Sequence, residues 1–314
     1  MSRILFTLLV SCIVMSSSAQ RIVKERPIKE RPMKEIPLKE PDALLMAHRW
    51  WKAINPNFMG CNGYNLGDSN TTFFAAKKDI CIKGWINNNY TAWATLNDSL
   101  VHLGALVNLE SISFGNSPTD KVFSYLSKLP NLKSLDALNG LTGASDVTGK
   151  GLYILSGIKS IEVLRLNGCR VSDGDVQYLK ELPNLKELWL TGWTITDKSM
   201  KSISGLSNLR ILKLNRTPIT DEGLAMIEWP ATLVDLNLEL TPVTVNSISS
   251  LSKIPNLQRL NISNTNIGDD AVDGIIKMIK SKKGFSEIMI YGNQLSLANK
   301  KVIQDACTGV IVRY

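Results

Sequence analysis

The stretch "LKELWLTGWTITD", residues 185–197, has leucine at its first, fourth and sixth places and ends on Thr-Asp. Strand side chains alternate between faces, so Leu188 and Leu190 share one side while Glu187, Trp189 and Thr191 share the other. The pattern recurs. "IEVLRLNGCRVSD", "LRILKLNRTPITD", "LVDLNLELTPVTV" and "LQRLNISNTNIGD" begin at Ile161, Leu209, Leu233 and Leu257, so that five copies follow one another at 24-residue intervals. Looser copies begin at Leu109, Leu132 and Phe285. A unit of this size cannot bury both its faces alone, and stacked neighbours complete the core.

Behind each strand pattern comes a helical one. Asp197 heads "DKSMKSISGL", in which Met200, Ile203 and Leu206 fall on one helical face. Asp173 and Asp221 take the same place in their repeats, where an acidic side chain is expected to cap the first turn and meet the helix dipole.

The LxxLxL core, the Cys/Trp/Thr position and the later T-D-x-x-[LM]-x-x-[IL] resemble the leucine-rich-repeat family, in its bacterial and cysteine-containing styles. The resemblance covers about residues 105–314. It implies an α/β solenoid: a right-handed horseshoe with a parallel β-sheet on the concave face and helices on the convex face. It says almost nothing about the ligand.

The ends divide the chain further. Residues 1–19 combine Arg3, an apolar run from Ile4 to Val14 and a small-residue site at Ser17-Ser18-Ala19, which reads as a secretory signal. The run is too short for the roughly 20 apolar residues of a spanning helix. Residues 20–41 carry Pro27, Pro32, Pro37 and Pro41 among Lys-Glu pairs and read as a disordered or semi-rigid stalk. Residues 42–105 are rich in Trp and Phe and read as an irregular N-terminal cap, with residues 106–314 as the repeat domain and its C-terminal cap. There, "NKKVIQDACTGVIVRY" reads as a last helix and a closing strand.

Stalk residues 21–41 hold seven Lys/Arg against four Glu, so much of the net charge of +8 lies outside the repeats. A nucleic-acid partner is therefore not expected, nor membrane insertion. An exported protein permits disulfides, and Cys61 is expected to pair with Cys81. With two histidines, His48 and His102, no metal site is expected, and no cofactor.

No nucleophile elbow, HExxH helix or calcium loop appears, and "NGLTGASDVTGKG" (139–151) lacks the P-loop spacing. An enzyme is not expected. Binding is. The third, fifth and seventh strand places point to the concave face. They set Trp189 in a row between Arg165 and Lys213, with Glu187, Asn167 and Asn215 nearby. An exposed Trp flanked by cations has the composition of an interface hot spot. Equally, the cations could simply cover the ring. Trp193, four places on, is expected to pack. Five Asn-x-Ser/Thr sequons, at Asn70, Asn89, Asn97, Asn215 and Asn261, could carry glycans in a glycosylating host.

The sequence thus describes a secreted, non-catalytic binding protein taking a protein or glycan ligand on its concave face, periplasmic or surface-held in a bacterium. The alternative is a structural or adhesion component of an envelope or matrix.

Overall fold

The computed structural model describes residues 79–82, 104, 106–114, 118–137, 147–192 and 194–314. The signal, the stalk, the aromatic cap residues, Cys61, the Cys81 side chain, three of the sequons, most of the Gly/Thr-rich insertion and Trp193 lie outside them.

Ten short strands form one parallel sheet in chain order: β1 (Asp79–Ile82), β2 (Ser111–Phe114), β3 (Ser134–Ala137), β4 (Val163–Arg165), β5 (Glu187–Trp189), β6 (Ile211–Lys213), β7 (Asp235–Asn237), β8 (Arg259–Asn261), β9 (Glu287–Met289) and β10 (Ile311–Arg313). The register is the one the repeat dictates. Fourth-place residues Ile112, Leu135, Leu164, Leu188, Leu212, Leu236, Leu260 and Ile288 lie opposite one another and have no exposed surface. The expected closing helix and strand are present at the C-terminal end. β1 is a correction: it lies inside the segment read as irregular, where Asp79-Ile80-Cys81-Ile82 alternates as a strand and sets Ile80 opposite Ile112.

The return path of each repeat is a short helix: α1 (Asp120–Leu126), α2 (Gly149–Leu155), α3 (Met200–Ser204), α4 (Asp221–Met226), α5 (Ser247–Ser252), α6 (Val272–Lys280) and α7 (Leu297–Ala306). Residues Val176–Glu181 form 3₁₀ turns instead. Segments this short are unstable alone, so packing holds them. Met200, Ile203 and Leu206 are buried, as their spacing predicts.

The repeat acid works differently from expectation. The N-cap side chain is a threonine: Thr148, Thr196 and Thr220 each accept from the backbone N–H two residues on. The Asp instead joins adjacent repeats. Asp197 accepts from Thr220 N–H at 2.8 Å and Thr220 Oγ1 at 2.7 Å. Asp120, Asp173 and Asp221 bind Thr148, Thr196 and Thr244 in the same way. A carboxylate has lone pairs for both donors, while the short Thr side chain already caps its own turn. The acid also needs room in the next helix. A Cβ on Gly223 would lie 2.0 Å from Asp197 Oδ1, and Ser199 fills the equivalent place by donating to Asp173.

A second ladder was not anticipated. Asn131, Asn184, Asn208 and Asn256 each donate through Nδ2 to a carbonyl of the preceding repeat, at 2.7–2.9 Å. The "KMIKSKKG" helix end is exposed at Lys277, Lys280 and Lys283 and half-buried at Lys282, whose Nζ donates to the Ser252 carbonyl. Burial lowers the Lys282 pKa. Among the described residues no helix is long and apolar enough to cross a membrane.

Candidate functional site

The strands present one face to the helices and leave the other open, and the open face carries the predicted row. Ser113, Asp136, Arg165, Trp189, Lys213, Asn237, Asn261 and Met289 lie opposite one another strand by strand. Glu187 sits between Val163 and Ile211 in the adjacent row.

Trp189 is half-buried on this face. The Arg165 guanidinium lies 4.7 Å from its ring centroid. Two carboxylates hold that guanidinium: Nε and Nη2 reach Glu187 Oε1 at 2.7 Å, and Nη1 reaches Asp136 Oδ2 at 3.4 Å. Lys213, expected on the other flank of the ring, turns away to Asp235 Oδ1 at 2.5 Å. Asp235 also receives Arg259 at 2.9 Å, so it offers two oxygens to two cations. One cation covers the indole, not two, because the neighbouring carboxylate holds the second more strongly than the ring would.

The cluster is incompletely satisfied. Asp136 Oδ1 and Trp189 Nε1 are both sealed from solvent and make no hydrogen bond. Burial pushes the Asp136 pKa above the ordinary carboxylate value, the Arg165 charge and hydrogen bond pull it part of the way back, and Glu187 pushes it up again. A sealed, unpartnered polar atom costs about 1–3 kcal/mol. The contacts holding Arg165 on the ring are each worth about 0.2–1 kcal/mol when partly exposed. The two magnitudes are comparable, so the cover is weakly held.

The remaining predicted residues are set in hydrogen bonds or partly covered. Asn167 Oδ1 accepts from Thr191 Oγ1 at 3.0 Å, and Asn215 is half-buried. Asn261, one of the open-face sequons, is buried: its Oδ1 accepts from Ser263 N–H at 3.0 Å and its Nδ2 donates to Glu239 at 3.4 Å. At the ninth repeat place Cys169, Thr217, Thr241 and Thr265 are all buried, and each Thr hydroxyl donates to the carbonyl three residues back.

The sequence reading set Asp136 in the open-face row without giving it a part in the site, and missed the shared Asp235; the signal for each was an acid opposite a basic residue in the next strand. It also missed a cleft of about 660 Å³ on the helix side, lined by Tyr153, Tyr178, Lys159 and Gln177. Tyr153 occupies the helix place that Gln177, Lys201, Ala225 and Ser249 take in later repeats, so an outward aromatic was legible there. Its ring meets Tyr178 edge-on at 5.3 Å. Cys307 is buried, and burial raises its thiol pKa while the Lys280 charge lowers it in part. Among the described residues no three His, Cys, Asp or Glu side chains gather as metal ligands would.

The crystal structure of an internalin C2 from Listeria monocytogenes is similar to this chain at 20% identity and a TM-score of 0.43, over 69% of this chain and 82% of that one. No curated protein matches the sequence. The family model described as "Leucine Rich repeat" matches residues 205–227 and 253–275. Each match runs from the helix end of one repeat through the strand and into the next helix. Those matches, on a sheet whose ten strands keep one register, show leucine-rich repeats in this chain and make it similar to that family.

Proposed function

We propose that this protein is an exported, non-catalytic binding module that takes a protein partner on the open sheet face, centred on Trp189. Leucine-rich-repeat folds serve as protein-interaction scaffolds, which supports binding over catalysis. The observation that carries the reading is Trp189 itself. It occupies an outward strand place where packing requires no aromatic, and Val163 and Ile211 stand on either side of it in the neighbouring row. A central aromatic ringed by partly apolar and polar groups has the make-up of an interface anchor. The charges around it are paired within the protein, so contact area and hydrogen bonding rather than long-range attraction select the partner. Export rests on the leader sequence.

The test is affinity capture from the protein's native surroundings by the wild type, Trp189→Ala and, as a helix-side control, Tyr153→Ala. The reading expects one captured species to be retained by the wild type and Tyr153→Ala and lost at least about tenfold with Trp189→Ala, the scale of a hot-spot truncation. Equal capture by all three removes the open face from the binding reaction.

A further inference from the structure

The cluster around Trp189 holds a donor and an acceptor that are sealed from solvent and make no hydrogen bond. Trp189 Nε1 offers a hydrogen and Asp136 Oδ1 a lone pair; both are sealed from solvent, and Arg165 lies over the indole and bonds the other Asp136 oxygen. They belong to β5 and β3, whose backbones run about 9.6 Å apart, with Arg165 on the strand between. We propose that Arg165 is a cover displaced on binding, and that a peptide unit or side-chain amide of the partner replaces it, accepting from Trp189 Nε1 and donating to Asp136 Oδ1.

The chemistry of the pair selects that group. A carboxylate could accept from the indole but would face Asp136 and Glu187. An ammonium could donate to Asp136 but has nothing to offer Nε1. A peptide unit carries C=O and N–H on opposite sides and bridges two side chains that stand apart. Once displaced, Arg165 keeps its bond to Glu187, which leaves from the same strand as Trp189. The inference rests on the binding reading above, and it states what that face recognises and what guards it.

Two measurements separate the inference from that reading. The first needs no partner: acrylamide quenching of the fluorescence component that Trp189→Phe removes, in the wild type and in the Arg165→Ala background. Severalfold stronger quenching of that component in Arg165→Ala is expected. Equal quenching overturns the cover. The second is selection of displayed linear peptides on Arg165→Ala, followed by titration against the wild type, Asp136→Ala and Trp189→Ala. Peptides that bind Arg165→Ala about tenfold more tightly than the wild type, and lose binding with either other variant, support the inference. Peptides indifferent to Asp136 and Trp189 overturn the recognised group. Failure of the binding reading has a different signature, in which quenching differs as expected while native capture ignores Trp189→Ala.

Discussion

Leu240 shows what one residue must tolerate to keep the repeat in step. At the eighth repeat place the backbone turns left-handed, with φ of 69° at Gly168, 61° at Arg216, 57° at Leu240, 55° at Asn264 and 63° at Gly292. Glycine adopts this region freely and Asn nearly so, but a leucine strains against its own Cβ by about 1–2 kcal/mol. Leu240 is also 41% exposed, so its side chain recovers little by packing. Leu240→Gly is therefore expected to raise stability by about 0.5–1 kcal/mol, after the unfolded-state entropy of glycine is deducted. A urea midpoint that falls would mean that the Leu240 side chain packs more productively than its exposure implies.

At the scale of the element, the Thr-Asp couplet does two jobs divided between two repeats. The Thr caps its own short helix, and the Asp clasps the Thr of the next. Asp173 illustrates the electrostatics: burial pushes its pKa up, but hydrogen bonds from Ser199 and Thr196 outweigh this and leave it below the ordinary carboxylate value. A carboxyl whose folded pKa lies below its unfolded one contributes stability that is complete above the unfolded value. That stability is lost as pH falls through the folded one. The protein should thus weaken on acidification below about pH 4, and Asp173→Asn should lower the neutral-pH urea midpoint and flatten the acid fall. An acid slope unchanged by the substitution would assign the acid lability elsewhere. The helix ends behave likewise, since "LPNLK", "LSNLR" and "IPNLQ" place an Asn where its amide reaches back to the previous repeat.

For the whole molecule, contacts run between neighbouring repeats, so stability is close to a sum of repeat and interface terms. Leu212 sits fully buried midway along the stack, opposite Leu188 and Leu236. Leu212→Ala should cost about 2–5 kcal/mol, the range for a large-to-small core change. It should also broaden the urea transition or split it in two, because the repeats on either side lose their coupling. A single sharp transition at a lower midpoint would show that the stack unfolds as one unit despite its linear contacts.

The recurring strand pattern, spaced by 24 residues through its five regular copies, by itself determined the strand register, the buried Leu and Ile columns and the row that sets Trp189 beside Arg165. Period-2 alternation and a fixed repeat length leave no other way to stack such units. Proximity in sequence also pointed to the closing helix and strand. What only the tertiary structure decided was the choice of partner among groups already side by side. Arg165 goes to Glu187, Asp136 and the indole, Lys213 goes to Asp235 instead of the ring, and the repeat Asp reaches forward to the next Thr rather than capping its own helix. β1 was hidden because "DICI" is four residues long and stands without a preceding repeat pattern. A repeat sequence states which residues are neighbours. Which of several neighbours a charged side chain binds depends on distance, burial and competing partners in three dimensions, and these exist only once the strands are stacked.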